Sequence, residues 1–144
     1  MLKNIPPIIS PDLIKILSEM GHGDEIVIAD GNFPAASKAK RLIRMDGHNA
    51  CEILTAILKF FPLDKYVSNP VSLMQVVKGD TVVPTIWNEF EIIIKESGEY
   101  FNGFEYLEKP EFYERSEKAY AVIASSEKAL YANIILKKGV IVIQ

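Results

Sequence analysis

The stretch "EMGHGDEIVIADGNFPA", residues 19–35, decides the fold. At its centre residues 26–29, Ile-Val-Ile-Ala, form an unbroken apolar run of β-prone character. Such a run is typical of a strand that is buried on both faces of an α/β sheet. His22, one of only two histidines in the chain, precedes this strand between two glycines, and Asp30 follows it. The stretch therefore predicts a core strand with a polar, titratable group at each end.

Helix signals flank this strand. Ser10 suits the N-cap of a helix, Pro11 suits its first position, and Asp12 suits the positive end of the helix dipole. Gly21 is predicted to end that helix in a left-handed conformation. Further helices are expected at about 49–60, from Pro84 to Gly98 and after Pro110, and further strands at 42–43, 71–77, 104–108, 120–125, 133–139 and 140–144.

Helices and strands alternate along most of the chain, which predicts one layered α/β domain over residues 1–144 with a mixed, largely parallel sheet flanked by helices. The last two predicted strands are separated only by Lys137-Lys138-Gly139, which indicates a hairpin or a bent strand. Residues 140–143 are apolar on both faces. Such a strand is either central in the sheet or covered by another subunit, because an exposed apolar edge invites aggregation.

The composition excludes several classes of function. A net charge of −3 over 144 residues leaves no basic stripe for nucleic acid. The lone Cys51 forms no disulfide within the chain, which favours a reducing compartment, and one cysteine with two histidines argues against a zinc site. The first residues do not resemble a signal peptide, and no apolar run reaches the roughly 20 residues of a membrane span. We therefore expect a cytoplasmic protein without a membrane or nucleic-acid partner.

His22 and Asp30 are the first candidates for chemistry. Asp30 lies at the carboxyl end of its strand, the edge where open α/β sheets bind ligands, and Gly23 leaves room for a ligand beside His22. Along an extended chain the two residues would be roughly 20 Å apart or more. They can meet only if the loop folds back or across a subunit interface. The alternative is a solvated loop histidine and an aspartate that caps the next turn.

Other polar residues carry weaker signals. His48 resembles a surface residue before a helix, and Cys51 resembles a small core residue, since no histidine is placed to activate it. Tyr131 and Asn133 lie two apart at a strand start, so both face one side and could hydrogen-bond a polyol. An edge strand with polar residues outward explains them equally well. The segment "KGD" at 78–80 is an ordinary turn sequence, and no GxGxxG, Walker or HExxH motif is present.

Four segments together resemble the family of L-fucose mutarotase and D-ribose pyranase: "MLKNIPPIISPDLIKILSEMGHGDEIVIADGNFPA", "RMDG", "FYERSEKAYAVI" and "YANIILKKG". The resemblance spans nearly the whole chain, with residues 80–105 matching least. It implies a compact α/β domain that assembles into ring-shaped homo-oligomers, often decamers, with sites between neighbouring subunits. It also implies interconversion of sugar anomers or ring forms without a cofactor.

The resemblance also implies roles for particular residues. The family's histidine after the first helix would be His22, and its strand-end aspartate would be Asp30. The tyrosine and asparagine of the last shared motif would be Tyr131 and Asn133. The arginine of "FYER", Arg115, favours the fucose branch. Beyond these family residues, we expect an aromatic side chain such as Tyr113 or Tyr120 to stack on the apolar face of the sugar.

The expected chemistry is acid–base opening and closing of a sugar ring. His22 is the candidate for proton transfer because imidazole titrates near neutrality, and Tyr131 is a possible second relay. Asp30, Arg115 and Asn133 would hold sugar hydroxyls, the arginine only as a donor. The alternatives are pyran–furan interconversion as in a D-ribose pyranase, a non-catalytic monosaccharide-binding accessory protein, and an oligomeric scaffold without a small ligand.

Overall fold

Six strands form one mixed sheet, and five helices pack on its two faces. The computed structural model describes residues 1–144. The elements in chain order are α1 (Pro11–Glu19), β1 (Glu25–Ala29), α2 (Ala35–Lys38), β2 (Leu42–Met45), α3 (Ala50–Ile57), β3 (Val71–Met74), α4 (Ile86–Ser97), β4 (Glu105–Leu107), α5 (Lys109–Lys118), β5 (Ala121–Ser125) and β6 (Ile134–Lys137). The predicted single α/β domain is confirmed.

The sheet has the strand order β2-β5-β1-β6-β3-β4. β1 is parallel to β5, β5 to β2, and β3 to β4, whereas β6 runs antiparallel to both β1 and β3. The sheet is therefore mixed and largely parallel, as the sequence predicted. Because β6 runs against β1, the amino end of β6 lies beside the carboxyl end of β1.

The strand Ile-Val-Ile-Ala alternates between two hydrophobic cores, one on each face of the sheet. Ile26 and Ile28 join a core of 27 buried residues that includes side chains of α1, α3 and α4. Val27 and Ala29 join a smaller core of 11 residues that includes side chains of α2 and α5. All four residues are fully buried. The prediction that this strand is covered on both faces is confirmed.

Local signals fix the helix ends. Ser10 accepts a hydrogen bond from the Leu13 amide at 3.1 Å and caps α1. Asn49 and Glu52 form a capping box at the start of α3, and Gly98 ends α4 at a φ of 78°. The prediction for Gly21 is wrong. α1 already ends at Glu19 with an extended residue after it, and the left-handed glycine of this loop is Gly23, at a φ of 87°.

The predicted strand at 140–144 is wrong as well. Residues 140–144 form no strand, and Ile141, Val142 and Ile143 are 69%, 68% and 91% exposed. The reason is that β6 already has β1 and β3 on its two sides, so no free edge remains for a hairpin partner. At 138–139 the chain instead pairs with Pro62 and Leu63 and leaves the sheet. In this chain no helix has the length and apolar character needed to cross a membrane.

Candidate functional site

A cleft of about 260 Å³ opens where β1 and β3 end and β6 begins. It lies at the carboxyl edge of the parallel strands, where α/β sheets bind ligands. Polar and aromatic side chains converge on it from four separate segments of the chain. Its lining residues are Asp30, Asn32, Phe33, Met74, Val77, Asp80, Lys109, Tyr113, Leu130, Tyr131 and Asn133.

Asp30 and Asn133 form a buried polar pair at the base of the cleft. The Asn133 amide oxygen accepts a hydrogen bond from the Asp30 backbone N–H at 2.8 Å, and its Nδ2 donates to Asp30 Oδ2 at 3.2 Å. The Asn32 amide donates to the other oxygen, Oδ1, at 3.0 Å. Burial raises the pKa of the Asp30 carboxyl above its ordinary value, although the surrounding N–H donors act in the opposite direction. The pair is thus fixed in position, and burial makes the Asp30 carboxyl ionise at a higher pH than usual.

Tyr131 is held at its hydroxyl by the segment between β3 and α4 and at its backbone by the first turn of α4. Its hydroxyl donates to Asp80 Oδ2 at 2.6 Å and accepts from the Val77 amide at 3.3 Å. Its backbone oxygen accepts from the indole Nε1 of Trp87 at 2.8 Å. Tyr131 has a φ of 58°, an unusual value for a residue with a side chain. The hydrogen bond to Asp80 raises the pKa of this phenol and lowers the pKa of that carboxyl.

Lys109 is the cation of the cleft. It is the first residue of α5, which begins directly after the carboxyl end of β4, so its position at this edge follows from the short connection. Its Nζ lies 5.5 Å from the ring centre of Tyr113, whose ring packs edge-on against Phe33 at 5.3 Å. Sequence reasoning missed Lys109. The available signal was the position of a helix start immediately after a strand end.

Arg115, the predicted cation, lies elsewhere. Its guanidinium binds Glu25, at the start of β1, and donates to Glu105 Oε1 at 2.6 Å, at the start of β4. Burial alone would raise the pKa of Glu105, but hydrogen bonds from Arg115 and Ser72 outweigh it and lower that pKa. Within one chain Arg115 therefore forms an ion-pair network at the opposite end of the sheet from the cleft.

His22 and Tyr120 also lie at the amino end of the strands. The imidazole Nε2 of His22 lies 3.1 Å from Asp64 Oδ1, and its ring is 5.6 Å from that of Tyr66. Tyr120 donates its hydroxyl to Glu19 at 2.7 Å. β1 alone spans about 16 Å at roughly 3.3 Å per residue, so His22 cannot reach the cleft of its own chain. The structure thus brings together Asp30, Asn133, Tyr131 and Tyr113, and keeps His22, Arg115 and Tyr120 at the other end.

Cys51 and His48, the weaker functional candidates in the sequence, lie in surroundings that indicate no catalytic role. Burial raises the pKa of the Cys51 thiol to about 11, which leaves little thiolate at neutral pH. His48 lies 3.4 Å from Glu52 on the same exposed helix start. In contrast, the turn at 78–80 carries more than its sequence indicated, because its Asp80 binds Tyr131. Asp64, the partner of His22, had no signal in the sequence.

The chain is similar to proteins of known activity along nearly its whole length. A sequence model described as the RbsD / FucU transport protein family matches residues 3–141. A curated relative from Actinobacillus pleuropneumoniae serotype 5b (strain L20), the L-fucose mutarotase, is 45% identical over 140 residues, which are 97% of each chain.

Two solved structures have the same fold. The fucose mutarotase from Streptococcus pneumoniae in complex with L-fucose has a TM-score of 0.93 and 55% identity, covering 98% of this chain and 100% of that chain. RbsD from Bacillus subtilis complexed with D-ribose has a TM-score of 0.74 and 26% identity, covering 99% and 100%. The chain is therefore more similar to the fucose-bound structure than to the ribose-bound one.

Proposed function

The chain belongs to the RbsD / FucU transport protein family, and we propose that it is an isomerase that interconverts the α and β anomers of L-fucose. The observation that carries this proposal is the polar cleft at the end of β1, in a chain 55% identical to a fucose mutarotase with L-fucose bound. The reaction requires only proton transfers between sugar oxygens and protein or water, so side chains supply all the chemistry. No cofactor enters this proposal.

The cleft offers the hydrogen-bonding groups that a small polyol needs. Asp30 presents carboxylate lone pairs that are not used by Asn32 or Asn133, and these can accept from sugar hydroxyls. Lys109 can only donate, and it takes the role in the cleft that the sequence had suggested for Arg115. The Tyr131 hydroxyl can accept from a sugar hydroxyl, and it can donate to the sugar in place of its bond to Asp80. Tyr113 provides an aromatic wall. This combination of fixed polar groups and an aromatic ring is typical of a small-molecule site.

A complete site needs a second copy of the chain. We propose that the protein forms a ring-shaped homo-oligomer, a decamer, in which the end carrying His22 faces the cleft of a neighbouring subunit. Arg115 and Tyr120 share that end, so they can contact the same sugar only in this arrangement. His22 would then exchange protons with the anomeric hydroxyl and ring oxygen, with Tyr131 as the second relay. The ring opens, the C1 carbonyl turns, and the ring closes on its other face.

Exchange NMR on the anomeric protons of L-fucose tests this function. We expect the protein to accelerate exchange, and the variant His22→Ala to lose about 10²–10⁴-fold of that acceleration, the usual contribution of a positioned acid–base group. His48→Ala is the matched control, because His48 lies outside the cleft and away from His22. Full exchange by His22→Ala would contradict the role of His22. A mass of 16.2 kDa for the intact protein by light scattering, that of a single chain, would contradict the shared site.

D-Ribose measured beside L-fucose separates the two branches of the family. Acceleration with ribose alone would reassign the chain to pyran–furan interconversion. Binding of either sugar without faster exchange would identify a non-catalytic accessory protein. We further propose that the protein works in the cytoplasm, because its single cysteine is unpaired and suits a reducing compartment.

A further inference from the structure

The buried carboxylate of Asp64 lies next to the imidazole of His22. The side chain of Asp64 is only 4% exposed, whereas that of His22 is 46% exposed. Asp64 Oδ1 lies 3.1 Å from His22 Nε2 and accepts a second hydrogen bond from the Tyr66 amide at 3.0 Å. No other side chain pairs with Asp64. A carboxylate this deeply buried needs such donors, because burying a charge without hydrogen bonds is costly.

The chemistry of the two groups decides where the proton of His22 lies. An ionised carboxylate can only accept hydrogen bonds, so the nitrogen that faces it must carry a hydrogen. In neutral imidazole the other nitrogen then has a free lone pair. That nitrogen is Nδ1 of His22, which makes no hydrogen bond within the chain. The pair therefore holds the histidine in one of its two tautomers.

We infer that Asp64 is a positioning residue that keeps His22 protonated on Nε2 and makes Nδ1 the atom that exchanges protons with the sugar. This inference rests on the proposed function for its chemistry. As the bond between C1 and the ring oxygen breaks, Nδ1 takes the proton of the anomeric hydroxyl, and the C1 carbonyl forms. The ring oxygen takes up a proton from the Tyr131 hydroxyl, and closure reverses both transfers. Asp64 stabilises the imidazolium that exists in between.

The backbone holds this pair at a fixed separation. The Gly23 amide, next to His22, donates to the Lys138 carbonyl at 2.8 Å, and the Asp64 amide donates to the Lys137 carbonyl at 3.0 Å. The backbone of Lys137 and Lys138 thus binds both the loop that carries His22 and the loop that carries Asp64. Gly139 crosses this region so closely that an added Cβ would lie 2.7 Å from the Leu63 carbonyl oxygen. Such fixed support is what a proton-transfer group needs in order to stay in register with its substrate.

The tautomer can be measured directly by ¹⁵N NMR of histidine-labelled protein in its native assembly. The chain has only two histidines, so the signals of His22 and His48 are readily assigned through His22→Ala. At a pH where imidazole is neutral, we expect His22 to show a protonated Nε2 and an unprotonated Nδ1. A protonated Nδ1, or an even mixture of tautomers, in the wild-type protein would overturn the inference.

Two variants test whether Asp64 causes this. In Asp64→Ala we expect the His22 tautomers to mix and the exchange rate of L-fucose to fall by about tenfold to a hundredfold, the range seen when carboxylates that orient metal-bound imidazoles are removed. Asp64→Asn keeps an oxygen that can accept from both donors, so it should retain the tautomer and part of the rate. If Asp64→Ala does not fold, the wild-type tautomer and Asp64→Asn still decide the question.

Glu52→Gln is the matched control, because Glu52 is the carboxylate beside His48 and glutamine can still form the capping box. It should change neither the His22 tautomer nor the rate. An unchanged tautomer and rate in folded Asp64→Ala would overturn the inference. Absence of catalysis in the wild-type protein would refute the proposed function alone, since the NMR measurement needs no turnover.

Discussion

Asn133 makes a sharp test of the cleft because its side chain holds Asp30 by two hydrogen bonds. Asn133→Ala leaves the buried Asp30 amide without an acceptor and removes one donor from the Asp30 carboxylate. An unsatisfied buried donor costs about 1–3 kcal/mol, and a hydrogen bond to a charged group contributes about 1.5–3 kcal/mol. We therefore expect the free energy of unfolding to fall by about 3 kcal/mol or more, which lowers Tm by roughly 10 °C in a chain of this size.

The pH dependence of this loss identifies its cause. Burial raises the pKa of Asp30 in the folded state, and Asn133 opposes that shift. Because the folded pKa of Asp30 is raised, ionising this buried carboxyl lowers the free energy of unfolding. This loss of stability is absent below the unfolded pKa of about 4, grows as pH rises toward the folded pKa, and is complete above the folded pKa. Because the variant has the higher folded pKa, its deficit should be largest near pH 7 and smaller near pH 4.

Thermal unfolding followed by circular dichroism at several pH values measures both effects. Asn69→Ala is the control, since the Asn69 side chain also makes two hydrogen bonds, both donated to backbone oxygens, but is less buried than that of Asn133. We expect it to cost less, with no dependence on pH between 4 and 7. A Tm for Asn133→Ala equal to that of Asn69→Ala, or a deficit that is constant with pH, would refute the reasoning about the buried pair.

Three further results are expected. Asp80→Ala removes the acceptor of the Tyr131 hydroxyl, so the pKa of that phenol, measured by NMR titration, should fall back toward about 10 and L-fucose exchange should slow. An unchanged phenol pKa would contradict the contact between Asp80 and Tyr131. Cys51, with a pKa of about 11, is about 0.1% thiolate at pH 8. Iodoacetamide should therefore label it slowly until urea unfolds the chain, and rapid labelling of the folded protein would count against its burial. Arg115→Met should cost about 1–3 kcal/mol at pH 7 in urea unfolding. The pKa of Glu105 is depressed in the folded state, so the ion pair with Arg115 stabilises the fold above the unfolded pKa of Glu105, and this stabilisation is lost as pH falls through the lower folded pKa. A loss of stability in Arg115→Met that is undiminished near pH 3 would disprove the pairing.

Local signals in the sequence predicted the parts of the fold that local physics controls. Ser10 and Asn49 determine helix starts through hydrogen bonds to residues three positions away, and Gly98 ends α4 because it can adopt a positive φ. The apolar run before Asp30 predicted the central strand because it has no polar face to expose. The prediction at 140–144 failed because strand propensity requires a free neighbour, and β6 has none.

The site required knowledge of distant contacts. That Tyr131 and Asn133 share one site could be predicted from their spacing, although the reason given was wrong, because β6 begins only at Ile134 and Tyr131 lies in a turn at a φ of 58°. Which cation joins them could not, because α5 runs across the sheet and brings Lys109 rather than Arg115 to the carboxyl edge. The partners Asp64 and Asp80, separated by 42 and 51 residues from the groups they bind, leave no local pattern.

The separation of His22 from the cleft in one chain leads to the most direct measurement. His22→Ala and Tyr131→Phe each damage one half of a shared site, so subunits of the two variants can complement each other when they assemble together. We predict that each variant alone is nearly inactive in L-fucose anomer exchange. A mixed assembly made by co-expression should recover up to about a quarter of the wild-type rate, because an intact site needs one particular subunit on each side. Mixed assemblies of the normal size that remain as inactive as the two parents would contradict a site built from two subunits.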